Sequence, residues 1–172
     1  MPRRSLPRVF LSVVVALFPS VSAASDWTVE TATDPMTDVR TIAASVEAVD
    51  MSSAPPGSRP KLMFLCQGRD FTMAIATGRP ALMRIHKGRV RFDGDAAAPK
   101  EFAYAAGVFV PVVASPTYSI DRRFAEEAAT RIVARSSTSF AVEIDGYTRE
   151  IMVFRMPPAV SPLETVIAAC RK

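Results

Sequence analysis

Histidine and cysteine are nearly absent, with one of the first and two of the second in 172 residues. A zinc site closed by thiolates and imidazoles takes four such ligands, which this chain cannot supply. A nucleophilic triad would have to be built around His86 alone. Long apolar runs are missing too. The run from Val9 to Phe18 falls well short of the about 20 residues of a membrane-spanning helix, so no stable membrane anchor is expected. The third shortage is net charge in the body of the chain. Arg3, Arg4 and Arg8 are three of the 21 basic side chains, and the first 24 residues hold no acid, which leaves 18 basic against 17 acidic groups. A nucleic-acid binder keeps its basic surplus in the folded domain, because affinity comes largely from releasing counterions at phosphates. That class is set aside.

What is present begins with an address. Three arginines, a short apolar run and the small-residue sequence Val21-Ser22-Ala23-Ala24 follow one another in the order of a secretory signal. Residues 1–24 are therefore expected to be removed, leaving 25–172 as a single β-rich exported domain in the periplasm or outside the cell. No cysteine follows the cleavage region, so a lipid anchor is not indicated. In an oxidising compartment Cys66 and Cys170 read as a disulfide. Leu62, Phe64 and Cys66 alternate on one face of a strand, and Leu163, Val166, Ile167 and Cys170 share one helix face, so a terminal helix packed on a sheet would bring the two sulfurs together.

Period two dominates the rest. Strands are expected at Trp27 to Thr31, Val39 to Val49, Lys61 to Cys66, Asp70 to Ala76, Leu82 to Ile85, Arg89 to Asp93, Glu101 to Ala105 and Val108 to Val113. Asp34 to Asp38 is a turn, residues 51–60 form a proline-rich loop, and Gln67-Gly68-Arg69 joins a hairpin. After Pro116, Asp121 can cap a helix whose apolar positions run from Phe124 to Val133 at the 3.6-residue period. Ser139 to Ile144 and Tyr147 to Phe154 flank Asp145-Gly146, a two-residue hairpin turn. Ser161-Pro162-Leu163-Glu164 carries the pattern of a capping box opening a last helix. The fold expected is mainly β, an antiparallel β-sandwich-like single domain with two short helices, the C-terminal one disulfide-linked to the sheet.

An early Trp27, the Pro35-Met36 turn before Asp38, an apolar strand ending at Cys66, Arg91-Phe92-Asp93, a late helix and hairpin, and Cys170 near the end stand in a telling order. In that order the chain resembles the VasI (TagO) family of periplasmic proteins associated with bacterial type VI secretion. It departs from the family at Phe154-Arg155-Met156-Pro157-Pro158, where a glycine is usual. The resemblance implies a non-enzymatic accessory or interaction protein.

No constellation for catalysis or for a cofactor emerges from the residues. His86, in Ile85-His86-Lys87-Gly88, reads as a solvated turn histidine. Glu126 and Glu127 point about 100° apart on a helix and so do not form a facing carboxylate pair. Asp93-Gly94-Asp95 lacks the downstream oxygen ligands of a calcium loop and reads as a plain turn. The binding candidate is the basic run Arg84, His86, Lys87, Arg89 and Arg91. With Val90 and Phe92 inward, Arg89 and Arg91 face outward, either to meet an acidic partner or as a solvated edge that guards against aggregation. The run Val108 to Val113, broken by Pro111, is a second candidate surface or a buried strand. The function expected is that of an exported accessory or interaction protein, with an envelope protein or cell-wall component as partner. The alternative is a free-standing periplasmic binding module, such as an inhibitor of a cell-wall-degrading enzyme or a binder of envelope polymers.

Overall fold

The computed structural model describes residues 26–34, 36–51, 59–77, 85–105, 117–145 and 149–171. They form nine strands and two helices: β1 Thr28–Thr33, β2 Arg40–Met51, β3 Lys61–Gln67, β4 Asp70–Ala76, β5 Ile85–Phe92, β6 Ala98–Ala105, β7 Thr117–Ile120, α1 Arg122–Val133, β8 Ser139–Ile144, β9 Glu150–Arg155 and α2 Ser161–Cys170. Residues 1–25 with the expected signal, Arg84, most of the segment Leu82 to Ile85 and the whole run Val108 to Val113 lie outside the described residues.

The strands pair in the order β1-β2-β3-β4-β7-β6-β5-β8-β9, and β9 pairs back onto β2. Eight strands, β2 to β9, therefore close into one barrel, and the expected sandwich is corrected. Alternation along each strand is the same in both architectures, so it cannot choose between them. The deciding contact is long-range. β2 pairs with β1 through Arg40 to Ser45 and then takes β9 as its partner from Ala48↔Phe154 to Met51↔Met152, with a register shift between Ala48 and Asp50 inside that second ladder. Such an irregularity bends the strand locally.

The inward side chains fill the barrel. Phe64, Phe102, Phe140 and Phe154 are fully buried beside Leu62, Met73, Ile75, Val142 and Ile144. Eight strands leave an interior just wide enough for side chains, and here aromatic rings occupy it. On β2, β3 and β4 the outward residues Ala43, Met63, Leu65, Ala74 and Ala76 are also buried, in a separate cluster. That double burial explains why β3 and β4 are apolar almost throughout rather than alternating.

The two barrel ends differ. β3, β5, β7 and β9 finish at one end, where both helices lie. α1 starts where Asp121 Oδ1 accepts from Phe124 N at 2.9 Å, as its sequence indicates, and buries Phe124, Ala125, Ala128, Ala129 and Ile132. α2 starts one residue earlier than the capping box implies. Val160, already helical at φ −94° and ψ −7°, is the N-cap without a side-chain bond, and Ser161 is inside the helix with Pro162 in its first turn. The Cys66–Cys170 disulfide, with Cα atoms 5.4 Å apart, ties α2 to β3 across 104 residues. In the chain-entropy account a loop of this size contributes about 4–5 kcal/mol.

Two turns test the local reading. Gly68, at φ 60°, sits at the first centre of the two-residue β3–β4 hairpin closed by Gln67↔Asp70. The β8–β9 connection is longer than two residues, because Ile144 pairs with Glu150. A two-residue turn would set Arg149 opposite inward Val142. The observed register instead sets Met152 there and turns Phe154 inward opposite Phe140. Burial of one face outweighs the turn signal, since slipping by one residue exchanges the faces.

Candidate functional site

β5 alternates strictly, with His86, Gly88, Val90 and Phe92 inward and Ile85, Lys87, Arg89 and Arg91 outward. Arg89 and Arg91 thus lie where the sequence places them, on one outer face. Their surroundings differ. Arg89 Nη2 donates to both carboxylate oxygens of Glu143 on β8, at 2.9 and 2.8 Å, and Arg149 Nε donates to Oε1 of the same group at 2.7 Å. Partial burial pushes the Glu143 carboxyl upward, but the hydrogen bonds from Arg89 and Arg149 and their charges outweigh it and hold the group below its ordinary value. Glu143 likewise raises the Arg89 guanidinium. Arg91, opposite Ala141, is exposed and has no ion-pair partner among the described residues. The basic face is therefore a pinned triad of Arg89, Glu143 and Arg149 beside Lys87 and Arg91, which have no ion-pair partner among the described residues.

His86 is not a solvated turn residue. β5 runs unbroken through it, and it is 4% exposed, facing the barrel interior near the end away from the helices. Its ring meets Tyr118 edge-on at 5.2 Å and Tyr104 at 6.5 Å, and Nδ1 lies 3.2 Å from the Asp145 carbonyl oxygen. Burial, with smaller effects from Glu150 and Tyr104, pushes the Tyr118 hydroxyl up to about 12. The Ile-His-Lys-Gly stretch looked like a turn because Gly88 falls within it, yet that glycine is a strand residue beneath Phe102.

Asp93 lies in the expected turn after β5, and its side chain has a defined role there as well. It holds φ 39°, and its carboxylate accepts from Ser137 Oγ at 2.5 Å, Thr138 N at 3.0 Å and Ser139 N at 2.8 Å, as well as from the Thr138 and Ser139 hydroxyls. Burial pushes this carboxyl up, but the donors prevail and bring it to about 2. The clamp joins the end of β5 to the start of β8. Its only trace in the sequence is the Ser-Ser-Thr-Ser run at 136–139, which periodicity does not interpret.

A cavity of about 370 Å³ opens between α1, α2 and the start of β4. Phe71, Ala129 and Ile167 give it an apolar floor, and Arg122, Glu126 and Arg171 stand at its rim. Arg122 Nε donates to Glu126 Oε1 at 2.9 Å, so Glu126 belongs to a helix-surface pair, as does Glu127 with Arg131 at 3.1 Å. Cys170 lines the same cavity. Sequence reasoning placed these residues on two separate helices and could not know that the helices meet.

Among the described residues no three His, Cys, Asp or Glu side chains come together to hold a metal ion, and no helix is long and apolar enough to cross a membrane. A disulfide fits a non-reducing compartment. No protein-family model, curated protein or solved structure matches the chain.

Proposed function

We propose that this chain is an exported, non-enzymatic interaction protein that works through its outer surface. The observation carrying the reading is the filled barrel. Phe64, Phe102, Phe140 and Phe154 leave the interior to protein side chains, so a ligand has to be met outside it. The outer face of β5 offers two exposed cations without an ion-pair partner among the described residues, Lys87 and Arg91, flanking a rigid ion cluster, an arrangement suited to carboxylates on an envelope protein. Service beside a type VI secretion apparatus, implied by the order of sequence landmarks, is part of the same proposal.

The test is affinity capture from an envelope fraction with the mature, oxidised protein, comparing wild type with Arg91→Glu. A saturable protein partner lost on charge reversal supports the reading. Co-sedimentation of both forms with purified peptidoglycan, and no protein partner, would replace it with a polymer-binding module. Turnover of an envelope substrate by the pure protein would overturn it.

A further inference from the structure

The cavity between the helices has features that the β5 face lacks: two helical walls, an apolar floor and a charged rim. Its volume of about 370 Å³ lies at the low end of the range for small-ligand sites, about 300–1,000 Å³. The floor is short. Phe71 and Ala129 are buried and Ile167 half-buried, enough for one apolar side chain but not for a long acyl chain. The rim charges are not evenly paired. Arg122 is offset by Glu126, on which its Nε is spent, and Asp70 also lies close enough to act on it. Arg171, which caps α2, has no acidic partner among the described residues. Among the described residues the Arg171 guanidinium thus keeps its donors unspent at the mouth, and the terminal amino groups of Arg122 have no partner.

The walls are also fixed before any ligand arrives. The Cys66–Cys170 bond anchors the last turn of α2 to β3 beside the cavity, and α1 is held by the burial of Ala125, Ala128 and Ile132. A site whose walls are already ordered loses less freedom on binding.

We infer that the α1–α2 cavity binds the free C-terminal carboxylate of a partner polypeptide ending in an apolar residue, with Arg171 as the principal anchor, Arg122 as the second, and the last side chain on Phe71 and Ile167. This rests on the proposed role as an interaction protein and names a site and a chemistry for it. A peptide end fits better than a fatty acid because the floor takes only one side chain, while the polar rim formed by Glu126 and Thr130 can face amide groups.

The experiment titrates isotope-labelled mature protein, disulfide intact, with the peptide acetyl-glycyl-alanyl-leucine as the free acid, with its C-terminal amide, and with octanoate. Saturable shifts at Ala129, Ile167 and Arg171 are expected with the acid. The amide should bind at least about tenfold more weakly, the loss expected when a charge-assisted hydrogen bond is removed. Arg171→Glu should abolish the response while lowering the melting temperature by no more than a few degrees, the mild effect of an acid at a helix C-terminus, and Arg171→Lys should restore part of it. Equal binding of acid and amide, undiminished binding to Arg171→Glu, tighter binding of octanoate, or no saturable shift with any probe each overturns the inference. Envelope capture separates the two proposals: a partner lost with Arg91→Glu but kept with Arg171→Glu refutes the cavity and leaves the interaction role standing.

Discussion

Gly88 and Gly94 should respond to alanine with opposite signs. Neither has a positive φ, so from propensity alone both substitutions would stabilise, by about 0.4–1 kcal/mol, through reduced freedom of the unfolded chain. At Gly94 a Cβ would meet nothing within 4 Å, and that small gain should stand. At Gly88 the added carbon would lie 2.1 Å from the Glu143 carbonyl oxygen, 2.8 Å from Phe102 Cε2 and 3.1 Å from the Glu143 carbonyl carbon. Phe102 is fully buried, and Glu143 O belongs to β8, which pairs with β5 through Gly88↔Ile144. Neither neighbour can move without disturbing the ladder or the aromatic filling. Overpacking costs about 1–3 kcal/mol when side chains can adjust, and a backbone obstacle puts this site at the upper end. Net of the entropy gain, Gly88→Ala should lose about 2 kcal/mol, which for a domain of this size lowers the melting temperature by about 4–8 °C. Urea unfolding followed by circular dichroism measures the difference, with Gly94→Ala as the control. If Gly88→Ala is as stable as wild type, the close packing of β5 against β8 is wrong.

Protonation of Asp93 should weaken the fold only at strongly acid pH: its carboxyl lies at about 2 against an ordinary 3.8, so its contribution is complete above pH 4 and is lost as the pH falls through 2. Asp93→Ala should cost about 1–3 kcal/mol at pH 7 and flatten the acid limb of a stability profile, measured by denaturant titration between pH 2 and 7. Cys66→Ser with Cys170→Ser should lose about 2–5 kcal/mol, and intact mass of the mature protein should show both sulfurs oxidised and a start near Ala24 or Ser25. Phe92→Ala should cost about 3–5 kcal/mol through its lost packing on Phe124 and Phe140, whereas Arg91→Ala should stay within about 0.5 kcal/mol of wild type in a thermal melt.

Local patterns carry much of this structure. The apolar spacing of α1, the Asp121 cap, the Gly68 hairpin and the pairing of the two cysteines were all legible, because each depends on residues close in sequence or on facing apolar stripes. Barrel closure was not, since Ala48 and Phe154 meet across about a hundred residues and alternation says nothing about which strand is whose neighbour. His86 was misread for a related reason. A histidine beside lysine and glycine looks like a turn until Tyr104 and Tyr118 arrive from two other strands. Of the candidate binding residues, Arg89 and Arg91 were placed on the correct face, but the neutralising Glu143 lies on β8 and could not be paired with Arg89 from the sequence. The helix cavity was invisible for the same reason, since its floor and rim come from three elements.

The return of β9 onto β2 has a consequence for how the chain reaches its native state. Both closures of the molecule, the β2–β9 ladder and the Cys66–Cys170 bond, recruit the last quarter of the chain to partners in its first half. Early strands can form hairpins while the rest is still being made, but the ring stays open until β9 is available. A topology so rich in distant contacts folds slowly. Assembly is thereby tied to release of the tail, and oxidation of the cysteines, which needs α2 in place, becomes one of its final steps.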